Sequence, residues 1–237
     1  MDLQKVREQI DEHGFCVFSA GMEGMAHKAK NEYFSIKKKN KLHAQSSKFS
    51  RKSLEKQPFR KTAIGSVNGL GENISQILQS TYFGRNTPNC ESLNSCAEKV
   101  VEVRNALMGM PSDFGSDPQK CGFWNASRVH QYPSGGGHMQ GHSDSHFPSL
   151  LKGASHQFLQ VAMSLSKRGN DFESGGFFVK NRIGRVIDID EKSEVGSIVC
   201  FDGKLEHGIL DVDSDQVLDW AANTGRMAIF SMLYQDS

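Results

Sequence analysis

Arg128-Val-His-Gln-Tyr-Pro-Ser-Gly-Gly-Gly-His-Met-Gln-Gly-His142-Ser-Asp144 is the stretch on which the reading of this chain turns. It begins as an extended segment, breaks at Pro133 and three glycines, and ends in a His-x-Asp triplet. Residues i and i+2 of an extended segment point to one side, so His142 and Asp144 can reach the same cation. A third donor, His207, follows the apolar run Gly196-Ser-Ile-Val-Cys-Phe201 and is expected at the end of a buried strand. Two imidazoles and one carboxylate on one face of a ferrous ion leave three positions open for a chelating cosubstrate and dioxygen. The set therefore reads as a mononuclear Fe(II) site. The helical His-Glu-x-x-His spacing of zinc hydrolases is absent.

Arg226 opens another strand-like run, Met227-Ala-Ile-Phe-Ser-Met-Leu-Tyr234. A guanidinium entering so apolar a segment needs a carboxylate partner, from the protein or from a ligand. An internal acidic partner filling the surroundings of Arg226, or a His207 remote from the other two donors, would contradict the metal-and-anion reading.

Outside these residues the chain narrows the function classes. Its 237 residues, 37% hydrophobic, suffice for a sizeable core, and the simplest division is one domain over 1–237. A net charge of +1 gives no support for nucleic acid or an anionic membrane as partner. Five cysteines, odd in number and without a Cys-x-x-Cys pair, suggest neither a disulfide framework nor a zinc knuckle and fit a reducing cytoplasm. A charged N-terminus without an apolar core and no run of about 18 apolar residues predict neither a signal peptide nor a membrane span.

Leu3, Val6 and Ile10 at helical spacing predict a helix over 3–12, stopped by Gly14 before a short strand Phe15-Cys-Val-Phe18. Residues 72–80, with Ile74, Ile77 and Leu78 on one stripe, and 91–108 are also read as helices, the second closed by Pro111. Between Lys37 and Lys61 ten Lys or Arg face one Glu, a solvated stretch or an electropositive flap for an anionic substrate. Only Phe49 and Phe59 interrupt it, too few aromatics to stack nucleic-acid bases. Beyond residue 121 the pattern changes to short runs at 126–132, 157–165, 176–179, 184–189, 196–201 and 226–234, punctuated by glycine, which predicts a sandwich or barrel. The expected architecture is thus mainly β with flanking helices: a mostly helical cover over 1–120, containing the basic segment 37–61, on a core over 121–237.

Four segments in order resemble the Fe(II)- and 2-oxoglutarate-dependent dioxygenases, in their prolyl-hydroxylase-like branch. They are Arg128–Asp144, then Val161-Ala-Met-Ser-Leu to the Glu173-Ser-Gly-Gly176 turn, then His207-Gly, then Gly225-Arg226. The resemblance covers roughly residues 121–234 and implies a double-stranded β-helix, or jelly-roll, of cupin type. It implies that His142, Asp144 and His207 bind iron, that Arg226 pairs with the distal carboxylate of 2-oxoglutarate, and that Tyr132 donates to it. It further implies O2 as cosubstrate and oxidation of an unactivated C–H bond with release of succinate and CO2. Two departures stand out. The His207–Arg226 interval is long, as if it held an inserted hairpin, and Ala228 stands where relatives carry a serine.

Substrate contacts are less defined. On an extended strand Arg128 and His130 share a face with Tyr132; Arg128 either holds a substrate carboxylate or makes an internal salt bridge. Trp124 and Trp220 are candidate aromatic walls, or simply packing. His138 and His146 flank the motif but are surplus to a complete facial set. A small molecule, such as an amino acid or natural-product intermediate, is the expected substrate. A peptidyl-prolyl hydroxylase and a non-catalytic cupin-like metal-binding module are the alternatives.

Overall fold

The computed structural model describes residues 2–39, 50–69, 72–144 and 159–235. Helix α1 (Leu3–His13) is capped by the Asp2 carboxylate, which accepts from the Gln4 and Lys5 amides, and closed by left-handed Gly14. Strand β1 (Phe15–Ser19) follows, then α2 (Glu23–Lys39) and the single turn α3 (Arg51–Leu54). Residues 40–49 of the basic segment and His146 lie outside the described residues. Helix α4 (Glu91–Met108) ends on Gly109 in the left-handed region, two residues before Pro111, so the glycine is the stop.

The expected helix over 72–80 is a strand. β2 (Phe59–Gly69) and β3 (Glu72–Phe83) form a long hairpin, in register from Phe59–Tyr82 to Gly69–Glu72. Ile74, Ile77 and Leu78 satisfy a helical spacing by coincidence. What decides is two-faced burial: Leu78 packs in the same cluster as Tyr132, while its neighbour Gln79 turns to the opposite face. The short turn α5 (Pro118–Cys121) then leads to β4 (Phe123–Tyr132) and β5 (Gly137–His142). The remaining strands are β6 (Leu159–Ser164), β7 (Gly176–Lys180), β8 (Val186–Asp188), β9 (Ser197–Asp202), β10 (His207–Val212) and β11 (Arg226–Gln235). Residues 213–225 hold turns and bends among which no strand is formed, so the long interval before Arg226 is not an inserted hairpin.

The strands join in one curled antiparallel sheet, ordered β1-β9-β6-β11-β4-β3-β5-β10-β7-β8 with β2 outside β3. This is a double-stranded β-helix core flanked by a few helices. Strands β1 and β3, from the N-terminal half, are built into that sheet rather than laid over it. Side-chain alternation divides the interior in two. In β9, Ile198 and Cys200 face the helices α1, α2 and α4, while Val199 and Phe201 face the inside of the curl. A strand buried on both faces reads as an unbroken apolar run, which is why β9 and β11 are legible in sequence. Each such Val, Leu, Ile or Phe contributes about 1.5–3 kcal/mol by its removal from water. Among the described residues no helix is long and apolar enough to cross a membrane.

Candidate metal centre

Strands β5 and β10 run side by side with His142 directly opposite His207. The next pair is Met139–Ile209, so β5 spends three residues where β10 spends two. Such a bulge re-aims the side chains that follow it, and here Met139 and His142 both turn into the curl. The two imidazole centroids are 4.4 Å apart. Strand β5 ends at His142, so strand alternation does not place Asp144. Its backbone N–H donates instead to the Gly203 carbonyl at 2.7 Å, which pulls the aspartate back toward the loop before His207. One donor atom from each of His142, Asp144 and His207 lies within 4.8 Å of the others.

Hydrogen bonds set the chemistry of the donors. His142 Nδ1 lies 2.9 Å from the Gln140 carbonyl, and His207 Nδ1 lies 2.8 Å from the Leu205 carbonyl. A carbonyl only accepts, so each Nδ1 carries the proton and each Nε2 keeps its lone pair. Burial presses the His207 pKa below the usual histidine value, against the opposing pull of the Leu205 carbonyl and the Asp144 charge. The neutral form, the one that can ligate, is thereby favoured. Gln160 on β6 donates to Asp144 Oδ2 at 2.8 Å and fixes the carboxylate plane. No motif pointed to Gln160, since it sits in an otherwise apolar strand.

Arg226 opens β11 opposite Tyr132, and it does have an internal acid. Its Nε donates to Asp190 Oδ2 at 2.8 Å, with both side chains almost completely buried. The same oxygen accepts from the Phe177 amide. Gly176, at φ 106°, is required there: an added Cβ would sit 2.5 Å from that oxygen. Of the two partners left open for Arg226 the protein supplies one, Asp190, which counts against Arg226 as an anchor for a ligand alone; it went unread because it belongs to an acidic run, Asp188-Ile-Asp-Glu191, that looks solvated. The pairing is incomplete. Arg226 Nη1 is buried with no hydrogen-bond partner among the described residues, while the guanidinium lies 5.9 Å from the Tyr132 ring and 5.1 Å from that of Phe177. The Tyr132 hydroxyl is held only loosely, 3.4 Å from His130 Nδ1. Burial pushes its pKa up to about 12, so it remains a donor.

The remaining sequence candidates are not at the metal donors. Strands β4 and β5 lie end to end along one edge of β3, with Arg128 opposite Tyr82, His130 opposite Ser80 and Met139 opposite Gln76. The six residues from Tyr82 to Gln76 span about 20 Å of strand. Arg128 therefore lies beyond Tyr132 on the side away from His142, with its Nη1 3.4 Å from the Tyr82 hydroxyl and its guanidinium over the Tyr82 ring. His130 is buried between Arg128 and Arg226, and burial, reinforced by those two charges, holds its pKa well below the usual value. Trp220 belongs to the 213–225 connection, whose Ala222 and Thr224 carbonyls accept from Gln131 on the helix-covered face. Trp124 packs with Tyr234. His138 bridges Ser75 and the Gly136 carbonyl.

No family model and no curated protein matches this chain. Solved structures do. A prolyl-4-hydroxylase from Pseudomonas putida superposes with a TM-score of 0.59 over 99% of this chain and 100% of its own, at 12% identity. The fold is the prolyl-hydroxylase fold. A prolyl hydroxylase from Trichoplax adhaerens, in complex with a hypoxia inducible factor peptide fragment, gives 0.57 over 98% and 89% at 13% identity. JOX2 in complex with 2OG, Fe and JA gives 0.55 over 99% and 71%, also at 13% identity.

Proposed function

We propose that residues 1–237 form one oxygenase domain of the Fe(II)- and 2-oxoglutarate-dependent superfamily, oxidising a C–H bond of a small molecule. The observation that carries this reading is the convergence of His142, Asp144 and His207, with each Nδ1 on a backbone carbonyl, no partner for either Nε2 among the described residues, and the carboxylate braced. Two nitrogens and one oxygen suit a ferrous ion with open positions. The bare Nη1 of Arg226 and the loosely held Tyr132 hydroxyl supply two donors for the distal carboxylate of the cosubstrate. The bound iron and 2-oxoglutarate would supply oxidation by O2, with release of succinate and CO2.

In this reading each side chain has a defined task. His142, Asp144 and His207 hold the metal on one side. Gln160 keeps Asp144 Oδ2 engaged and leaves the other oxygen for the cation. Asp190 holds the Nε of the Arg226 guanidinium, which leaves Nη1 to the cosubstrate, and the Phe201 ring, backed by Phe177, packs against His207. The likeness to JOX2 with JA bound supports a small-molecule substrate. A peptide substrate, the second reading, is favoured by the two prolyl hydroxylases and by β2, an edge strand to which an extended peptide can add. The non-catalytic alternative loses nothing from Arg226, which has Asp190, but leaves Nη1 bare.

The test is anaerobic reconstitution with ferrous iron and 2-oxoglutarate, followed by admission of O2 and a screen for succinate over a panel of metabolites and proline-containing peptides. We expect metal-dependent succinate release that His142→Ala and Asp144→Ala abolish. Absence of both cosubstrate binding and turnover would remove the proposal.

A further inference from the structure

The basic segment singled out by its charge contributes nothing to the metal donors, yet its two ends come together on the opposite, helix-covered face of the sheet. Lys37, in the last turn of α2, donates to Gln131 Oε1 at 3.0 Å and to the Ala222 carbonyl at 2.7 Å, leaving one N–H. Arg60 on β2 sits opposite Thr81, and Thr81 is two residues from Gln79, which itself faces Gln131. Arg60 and Gln79 are therefore diagonal neighbours on the face that carries Gln131, Tyr33 and Lys37. Burial, and then the Arg60 charge, lower the Lys37 pKa to about 8 against the opposing pull of Asp219.

Asp219 offsets part of the Lys37 charge, but among the described residues Arg60 has no anion of its own. Arg60 Nε and Nη2 are both buried and both without a hydrogen-bond partner among the described residues. Those two N–H groups form the side-on edge with which a guanidinium grips two oxygens at once. Gln79, only 6% exposed, has an unpartnered Oε1. Two bare donors, a spare ammonium proton and one bare acceptor are therefore gathered in a place where unmade hydrogen bonds are costly.

We propose that Lys37, Arg60 and Gln79 form a binding site for inorganic hydrogen phosphate on the face of the sheet opposite the metal donors. Arg60 takes two oxygens through its Nε–Nη2 edge, Lys37 a third, and the P–OH donates to Gln79 Oε1. Sulfate at neutral pH has no proton for Gln79, and a phosphate monoester dianion has none either. Free phosphate is therefore preferred over both. This site does not depend on the oxygenase reading.

Isothermal titration of the full chain with sodium phosphate at pH 7.5 and constant ionic strength tests it, with sodium sulfate and glycerol phosphate as parallel titrants. We expect one saturable site for phosphate, with both other anions weaker by about five-fold, the worth of one hydrogen bond. Arg60→Gln and Lys37→Met should each weaken phosphate binding by about ten-fold or more, while Lys61→Gln, which removes an exposed charge from the same strand, leaves it unchanged. Should Arg60→Gln fail to fold, Lys37→Met and phosphorus-31 line broadening on the wild-type chain carry the test. No saturable binding, equal response to sulfate, or full retention by Arg60→Gln or Lys37→Met overturns the proposal.

Discussion

Two residues outside any recognisable motif bear most directly on how the centre works. Gln160 braces Asp144 through a single hydrogen bond, and loss of such an outer partner typically lowers metal affinity by about 10–100-fold. We expect Gln160→Leu to weaken Mn(II) binding within that range while the unfolding transition stays cooperative; unchanged affinity would remove Gln160 from the centre. Asp190 neutralises a guanidinium that is 2% exposed. Asp190→Asn leaves that charge without its counter-ion and should destabilise the protein by about 3 kcal/mol. Part of the loss in Tm should be recovered on adding metal with 2-oxoglutarate, whose carboxylate becomes the partner. Tm values that ignore the cosubstrate would argue that Arg226 serves structure alone. His130 gives a pH signature. Its pKa is held well below the ordinary value in the folded chain, so below about pH 6.5 the unfolded chain takes a proton that the folded chain refuses, and stability falls with falling pH. His130→Gln should flatten the loss between pH 7 and 5 in a thermal-unfolding series, and an unchanged slope would contradict the assignment.

At the scale of elements, the β2–β3 hairpin separates what the sequence discloses from what it conceals. Helix α4 and strands β9 and β11 were legible because they bury one stripe or both faces without interruption. The hairpin was not, because Ile74, Ile77 and Leu78 fit the helical period, and only the pairing with β2 and β4 shows that Ile77 and Leu78 lie on opposite faces of a strand. A strand predicts unequal roles for adjacent residues. Leu78→Ala, at a 2% exposed position, should cost about 3 kcal/mol in chemical unfolding, whereas Ile77→Ala should cost under about 1 kcal/mol. Equal costs would favour the helical spacing. The site was legible to a similar degree. Its donors announce themselves by residue type, but the bulge in β5, the Gly203 contact and Asp190 depend on pairings between segments far apart in sequence. Arg128 shows the reverse error: strand alternation correctly put it on the face of Tyr132, yet alternation says nothing about which end of the strand the metal occupies.

For the whole molecule, the sheet on this account carries two candidate sites, one on each face. The inside of the curl brings a bulged strand, a loop and the start of β10 to one point, and the helix-covered outside gathers the two ends of a basic segment that remains unexplained by the inner site. That separation predicts independence: phosphate should leave Mn(II) affinity unchanged, and Arg60→Gln should bind metal as the wild-type chain does. The most direct measurement of the central claim is an anaerobic titration of Mn(II) into the purified chain in the presence of 2-oxoglutarate, followed by electron paramagnetic resonance. The account predicts one bound ion per chain, lost in His207→Ala and weakened when 2-oxoglutarate is omitted. Binding that survives His207→Ala with unchanged stoichiometry and affinity would contradict it.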